Sequence, residues 1–414
     1  MSNRRGFLQG TAAAGMTLAL PGLARAQAGA EPVRLGLLTV KTGPLASGGI
    51  DMERALNMFL AERDHTLAGS KVQLFVADSG GSPATAKAKL QELVEVNKIH
   101  AMIGPLAANE ALAIDDYLRA QKIPTLSLAA AEDMTQRKPN PWFLRATSTS
   151  AQTAHAMADH CAKTLKYKRM AVIADDFAFG YEMTGGFQRV FEEAGGKIVL
   201  KMFPPVTAPD YGSYLAQIKN VDAVFLGFAG SNGFRFVRQF NETPLRDKVA
   251  LIGGMTALDE SVLRNMGDEA LGIQTACWYS AELTNPINTK FAAAFRKAYG
   301  YDPGHYAAGS YISAAILEAA LKTVGGKGSD RDGLMAALRK TSTATARGQV
   351  KFDEYGNVVA DVFIRKVERK DGRLVNSVIK TYPNVSQFWT HSAKQFLANP
   401  VYSREWPPAK NLES

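Results

Sequence analysis

From Val33 onward the chain alternates short apolar runs with amphipathic stretches of helical period, and after residue 148 the alternation starts again. Apolar runs of this length, separated by helices, specify strands buried on both faces of a parallel sheet, because each crossover lays a helix over the sheet. The first set is VRLGLLTV (33–40), KVQLFVAD (71–78), IHAMIGPL (99–106) and TLSLAA (125–130), closed by WFLRATS (142–148). Helices are expected between these strands, at about 50–63 and at PATAKAKLQELVEVNK (83–98), where Pro83 suits a first helical turn. The second set is RMAVIADD (169–176), KIVLKMF (197–203), DAVFLGFAG (222–230) and VALIGG (249–254). Residues 286–340 read as mostly helical, and the simplest packing returns these helices to the first sheet. KFDEYGNVVADVFIRKVERKDGRLVNSVIKTY then reads as strand, turn and strand, with Asp371-Gly372 at the turn. The fold class is α/β, with two parallel sheets of similar design flanked by helices.

Ligands of such sheets meet the C-terminal ends of the strands and the helix N-termini beyond them. Three turns of the first set, KTGPLASGGID (41–51), GPLAANE (104–110) and SLAAAED (127–133), are built from small residues and lead into helices. Turns of this kind expose backbone N–H groups at a positive dipole end, which suits an anionic group, most simply a carboxylate. Each turn by itself also fits ordinary turn and capping chemistry.

Residues 1–28 carry an arginine pair (Arg4, Arg5), an apolar run from Thr11 to Leu23, and two small-residue cleavage sites, Ala24-Arg25-Ala26 and Ala26-Gln27-Ala28. Charge, apolar core and small-residue cut in that order form a secretory signal. The paired arginines, with Gly and Thr diluting the apolar run, point to the twin-arginine route, although Asn3 stands where that route usually has Ser or Thr. The run is shorter than the ~20 residues a membrane span needs. The working protein is therefore expected in the periplasm, starting near Gln27 or Gly29. Its length exceeds one ordinary core, so two domains are expected. Loss of Arg4, Arg5 and Arg25, with no acid, lowers the formal net charge from +9 to +6. The remaining Lys and Arg are dispersed, which argues against a nucleic-acid partner.

Cys161 lies in a helical stretch and Cys277 in a strand-like one. An oxidising compartment permits a bridge, but neither neighbourhood demands one, and two buried free thiols are expected. The six histidines show no ligand spacing, so no metal site is expected, and no cofactor is implied. No G-x-S-x-G elbow, H-E-x-x-H, Walker loop or G-x-G-x-x-G stands at a strand–helix junction. Asp115-Asp116 and Asp175-Asp176 are carboxylate pairs by sequence only, and neighbours on a helix point apart. An enzyme is not expected.

The landmarks VRLGLLTVKTGPLASGG, VADSGGSPATAKAKLQELV, AMIGPL, PTLSLAAAEDMT, WFLRATSTS, AVIADDFAFGYEMTGGF, VDAVFLGFAGSNGFRFVRQF, GYDPGHYAAGSYISAAILEAAL and GQVKFDEYGNV stand in a telling order and spacing. Together, from about Val33 to Tyr382, they resemble the type I periplasmic binding proteins, in the leucine/isoleucine/valine-binding branch of ABC-importer receptors. The resemblance implies two Rossmann-like lobes joined by three crossovers, near Leu144–Thr147, Thr275–Tyr279 and Gly348–Asp353. Lobe one would take residues 29–145 and 279–347, and lobe two residues 148–275 and 354–385. Residues 386–414 extend past the family pattern. A monomeric receptor is implied that closes on a small molecule and delivers it to an ABC permease. A receptor that reports to a membrane signalling partner would have the same lobes. An export signal argues against a DNA-binding relative.

By position, the resemblance puts Ser47, Gly48, Ala107, Ala108, Asn109, Ala129, Ala130 and Ala131 in the cleft from lobe one. Phe179, the Phe228–Gly230 segment and Met255 would come from lobe two, and Tyr306 from the returning helices. Phe179 and Phe228 fit the core of lobe two equally well. The amino-acid binders use a Ser hydroxyl where Ala108 aligns, a Thr hydroxyl at Ala131, an aromatic at Gly48, and an acid for the ligand's ammonium at Met255. Their disulfide positions align with Gly81 and Ala107. An ammonium buried without a carboxylate would cost several kcal/mol, on the order of a buried unpaired charge. Asp175 or Asp176 could substitute but stand ahead of the cleft loop. The expected ligand is therefore a small carboxylate with an aromatic or other apolar body. Amino acids and amides are the alternative.

Overall fold

The computed structural model describes residues 31–413, so the leader expected at 1–28 lies outside the described residues. The chain builds one sheet from β1 (Val33–Thr39), β2 (Thr66–Leu67), β3 (Ser70–Asp78), β4 (Ala101–Ile103), β5 (Thr125–Ser127) and β6 (Phe143–Arg145). Their order across the sheet is β2-β3-β1-β4-β5-β6, parallel except for the short β2. A second sheet holds β7 (Arg169–Ala174), β8 (Lys197–Met202), β9 (Ala223–Gly227), β10 (Ala250–Gly253) and β11 (Gln274–Cys277). A small hairpin of β12 (Thr343–Thr345) and β13 (Gly348–Val350) precedes β14 (Ala360–Lys370) and β15 (Arg373–Val385), which join the second sheet antiparallel beside β11. Asp371 and Gly372 both hold positive φ, 49° and 77°, as a tight turn matched to strand twist requires.

The two sheets share one design. In the first, β1 lies between β3 and β4; in the second, β7 lies between β8 and β9. The chain winds one way from the starting strand and then the other, which leaves a crevice at the C-terminal ends of the central strands. The helices Pro286–Tyr299 and His305–Thr323 follow β11, and His305–Thr323 packs on the helix Ala46–Ala61 and on β4 and β5. The late helices therefore cover the first sheet.

Several strands are shorter than their apolar runs. IHAMIGPL contributes only Ala101–Ile103, TLSLAA only Thr125–Ser127, and DAVFLGFAG only Ala223–Gly227. The chain leaves each sheet while its residues are still apolar and buried, because those residues form the walls between the lobes. The first helix starts at Ala46, ahead of the expected residue 50, so Ser47 and Gly48 lie in its first turn. Cys161 and Cys277 are both free and buried, and burial pushes the Cys277 thiol up to about 11. Among the described residues no helix is long and apolar enough to cross a membrane.

Candidate functional site

A small cavity lies between the lobes, at the crevice that the strand order creates. The loop after β1 supplies Leu45, and the loop after β4 supplies Leu106, Ala107 and Ala108. Leu128 and Ala130 follow β5. From the other lobe come Phe177 and Phe179 after β7, Ala229 after β9, and Met255 and Thr256 after β10. His305 and Tyr306 open the returning helix and close the wall.

Of the residues expected from sequence, Ala107, Ala108, Ala130, Phe179, Met255 and Tyr306 line this cavity. Gly48 acts one layer behind: a Cβ there would lie 2.5 Å from the Tyr306 ring, so the glycine makes room for the tyrosine. Ser47 and Asn109 are half-buried and stand off the lining, and the Asn109 side chain accepts the Glu110 N–H at 3.1 Å. Ala129 and Ala131 turn their carbonyls onto the buried Arg145 guanidinium, which leaves Ala130 between them to face the cavity. Phe228 is a correction. It is fully buried in the lobe-two core, 5.4 Å centroid to centroid from both Tyr211 and Phe236, where aromatic packing holds the ring away from the cavity. Its carbonyl, not its ring, serves the site, by accepting the Thr256 hydroxyl.

Ala229, from the expected Phe228–Gly230 segment, lines the cavity, and Leu45, Leu106, Leu128, Phe177, Thr256 and His305 line it without having been expected in it. Each lies within two residues of an expected one or in a turn already singled out, so the signal was the loop, not the side chain. Phe177 and Phe179 stack at 5.8 Å and form an apolar wall from lobe two.

No side chain lining the cavity is a carboxylate. Asp175 stays behind the wall, where its carboxyl accepts the Ala229 N–H at 2.9 Å and the Asn232 amide at 2.6 Å. Burial pushes it up to about 7. Asp259 reaches across the cleft to His305, accepting its backbone N–H at 2.8 Å and facing its ring Nδ1 at 3.1 Å. Burial opposes ionisation of Asp259, but the imidazole and the Ser261 and His305 hydrogen bonds outweigh it and hold the carboxyl below its usual range. The Ala107 N–H is taken by Glu110, and Ala107 has no side-chain oxygen with which to cap the helix it precedes. The first helical N–H groups beyond it, at Ala108 and Asn109, have no partner within the helix.

The lobes meet closely around this space. Gly230 holds φ at 58°, where a Cβ would lie 2.1 Å from the Pro44 carbonyl, and Ser231 donates its N–H to that carbonyl at 3.2 Å. Nearer β6, the Glu132 N–H donates to Glu182 at 3.0 Å, and the Ala151 N–H donates to Glu132 at 3.3 Å. On the far side the Arg264 guanidinium lies 3.7 Å from the centre of the Tyr301 ring. Among the described residues no cluster of His, Cys, Asp and Glu could hold a metal ion.

Comparison with known proteins agrees with this geometry. Residues 32–373 match the family described as periplasmic binding protein. A Leu/Ile/Val-binding protein homologue of Brucella abortus is 26% identical over 376 residues, covering 88% of this chain and 95% of its own. A solute-binding protein of an ABC transporter from Rhodopseudomonas palustris BisB5, in complex with 3,4-dihydroxybenzoic acid, superposes with a TM-score of 0.82 at 31% identity, over 86% of this chain and 98% of its own. A second from R. palustris, in complex with benzoate, gives 0.81 at 26%, over 86% and 97%. The two lobes, the crevice between them and the matched length lead to one conclusion: the chain belongs to the periplasmic binding proteins, as a solute-binding protein of the ABC-transporter type.

Proposed function

We propose that the protein captures a small aromatic carboxylate in the interlobe cavity and delivers it to an ABC permease in the inner membrane. The lining carries this reading. Phe177, Phe179, Tyr306, Met255 and three leucines surround the space, and no lining carboxylate is available for an ammonium group. An aromatic body is satisfied by such walls, whereas an α-amino acid would bury its positive charge without a partner. The R. palustris relatives bound to dihydroxybenzoic acid and benzoate support the same ligand class. Backbone N–H groups at Ala108 and Asn109 add a favourable dipole end for the anion. Export by the 1–28 leader and a hinge at the three crossings near Leu144–Thr147, Thr275–Tyr279 and Gly348–Asp353 complete the picture of a periplasmic receptor that closes on its ligand.

A thermal-shift screen of aromatic acids, aliphatic acids, amides and amino acids tests the proposal. A ligand that binds only the folded form at a hundred times its Kd adds about 2.7 kcal/mol of stability. The largest rise in melting temperature is expected with benzoate-type acids. The largest rise with leucine or valine would contradict it.

A further inference from the structure

We infer that His305, braced by Asp259 from the opposite lobe, makes the cavity select an acid over its uncharged amide. The inference rests on the aromatic-carboxylate reading and names the group that would recognise the carboxylate. Three lining side chains carry a polar atom near neutral charge or better: Thr256, Tyr306 and His305. The Thr256 hydroxyl is already donated to the Phe228 carbonyl. Burial raises Tyr306, so that side chain stays neutral. His305 alone can meet an anion with a full positive charge.

Its geometry suits that role. Asp259, the N-cap of the short helix Glu260–Leu263, faces Nδ1 at 3.1 Å and takes the His305 backbone N–H at 2.8 Å. An ionised carboxylate there requires a proton on Nδ1, which leaves Nε2 for the cavity. Among the described residues Nε2 has no hydrogen-bond partner. The ring cannot swing away: Tyr306 lies on it at 3.8 Å and Trp278 meets it edge-on at 5.9 Å. With a carboxylate on each side, each ring nitrogen has an acceptor to face, Nδ1 that of Asp259 and Nε2 that of the ligand.

The surrounding charges leave room for one anion. Glu260 and Arg365, 3.7 Å apart, share this buried region with Asp51, Cys277, Tyr279 and Tyr306. Burial pushes Glu260 up to about 8, so near neutral pH it is mostly uncharged. Arg365 is then the fixed cation of this cluster, and His305 stands between Asp259 and the cavity. Since Asp259 belongs to one lobe and His305 packs with the other, the anion completes a chain of charge-assisted hydrogen bonds that exists only when the cleft is closed.

Calorimetric titration of the full chain with benzoate and benzamide, which differ in charge but little in shape, tests this. The wild-type protein is expected to prefer benzoate by at least about tenfold, as befits a desolvated charge-assisted pair. His305→Gln and Asp259→Asn should each shrink that preference to about threefold or less, chiefly through weaker benzoate binding. Asp259→Asn leaves one side-chain oxygen, which can still accept the Ser261 N–H at the helix N-terminus while the acceptor facing His305 is lost, so it is the variant to rely on if His305→Gln does not fold. A preference that survives in either folded variant would overturn the inference, as would equal losses for acid and amide. A wild-type protein that binds both equally would also overturn it. Failure of the wild-type protein to bind benzoate at all would instead remove the aromatic-carboxylate reading on which it rests.

Discussion

Gly48 and Tyr306 show how one missing side chain sets a cavity's shape. The resemblance to amino-acid binders puts an aromatic at Gly48, and here the Tyr306 ring fills that place from another helix. Gly48→Ala would bring a methyl to 2.5 Å from the ring and force it into the cavity. Overpacking of this kind costs about 1–3 kcal/mol, so affinity for an aromatic acid should fall about tenfold or more, as read by calorimetry. Unchanged affinity would show that Tyr306 does not shape the site. Phe179→Ala should weaken an aromatic ligand by about 1 kcal/mol or more, and no change would assign Phe179 to packing alone. The small residues of the turns were legible because backbone close to a ligand needs them. Phe228 was not, because an aromatic one residue past a strand end reads the same whether it turns toward the cleft or, as here, into the core with Tyr211 and Phe236. His305 was passed over because its partner, Asp259, is 46 residues away in sequence.

At the scale of elements, the alternation of strands and helices was readable throughout, while strand ends were not. A wall residue such as Leu106 or Leu128 is as apolar as a strand residue, so the runs overshoot the sheets. The segment after Val385 had no counterpart in the family pattern, and the structure gives it a place. Phe388, Phe396 and Tyr402 pack together on Ala151 of the helix Ser150–Lys163. Arg137 donates to the carbonyls of Asn399 and Pro400, at 2.9 Å each. Gln387 donates to Thr135 at 3.0 Å and to Asp353 at 2.8 Å. The tail thus ties the second lobe to residues just past β5 of the first. Phe396→Ala should destabilise by about 3–5 kcal/mol, the usual loss for a buried aromatic, and lower the melting temperature accordingly. An unchanged melting temperature would mean that the tail only rests on the surface.

Across the whole molecule, buried acids set the pH response. Burial pushes Asp51 up to about 6, Glu110, Asp175 and Glu182 up to about 7, and Glu260 up to about 8. The folded chain keeps protons that the unfolded chain releases, so the stability these groups contribute is full below the unfolded values and is lost as pH rises through the folded ones. Asp78 and Asp259 have lowered values and lose stability only in stronger acid. The melting temperature should therefore fall between about pH 5.5 and pH 8.5, and Glu182→Gln should flatten part of that slope. A melting temperature that rises over this range would contradict the assignment. Glu182 also joins the lobes through Glu132, so the same groups that set stability lie at the seam that must open. Two lobes, a crevice at matched switch points and a cavity lining free of carboxylates are what the proposed capture of an anion by closure requires. Small-angle scattering during titration with 4-hydroxybenzoate, and separately with leucine, tests that capture most directly. The radius of gyration should contract and saturate with the aromatic acid and stay constant with leucine; contraction with leucine alone would contradict the account.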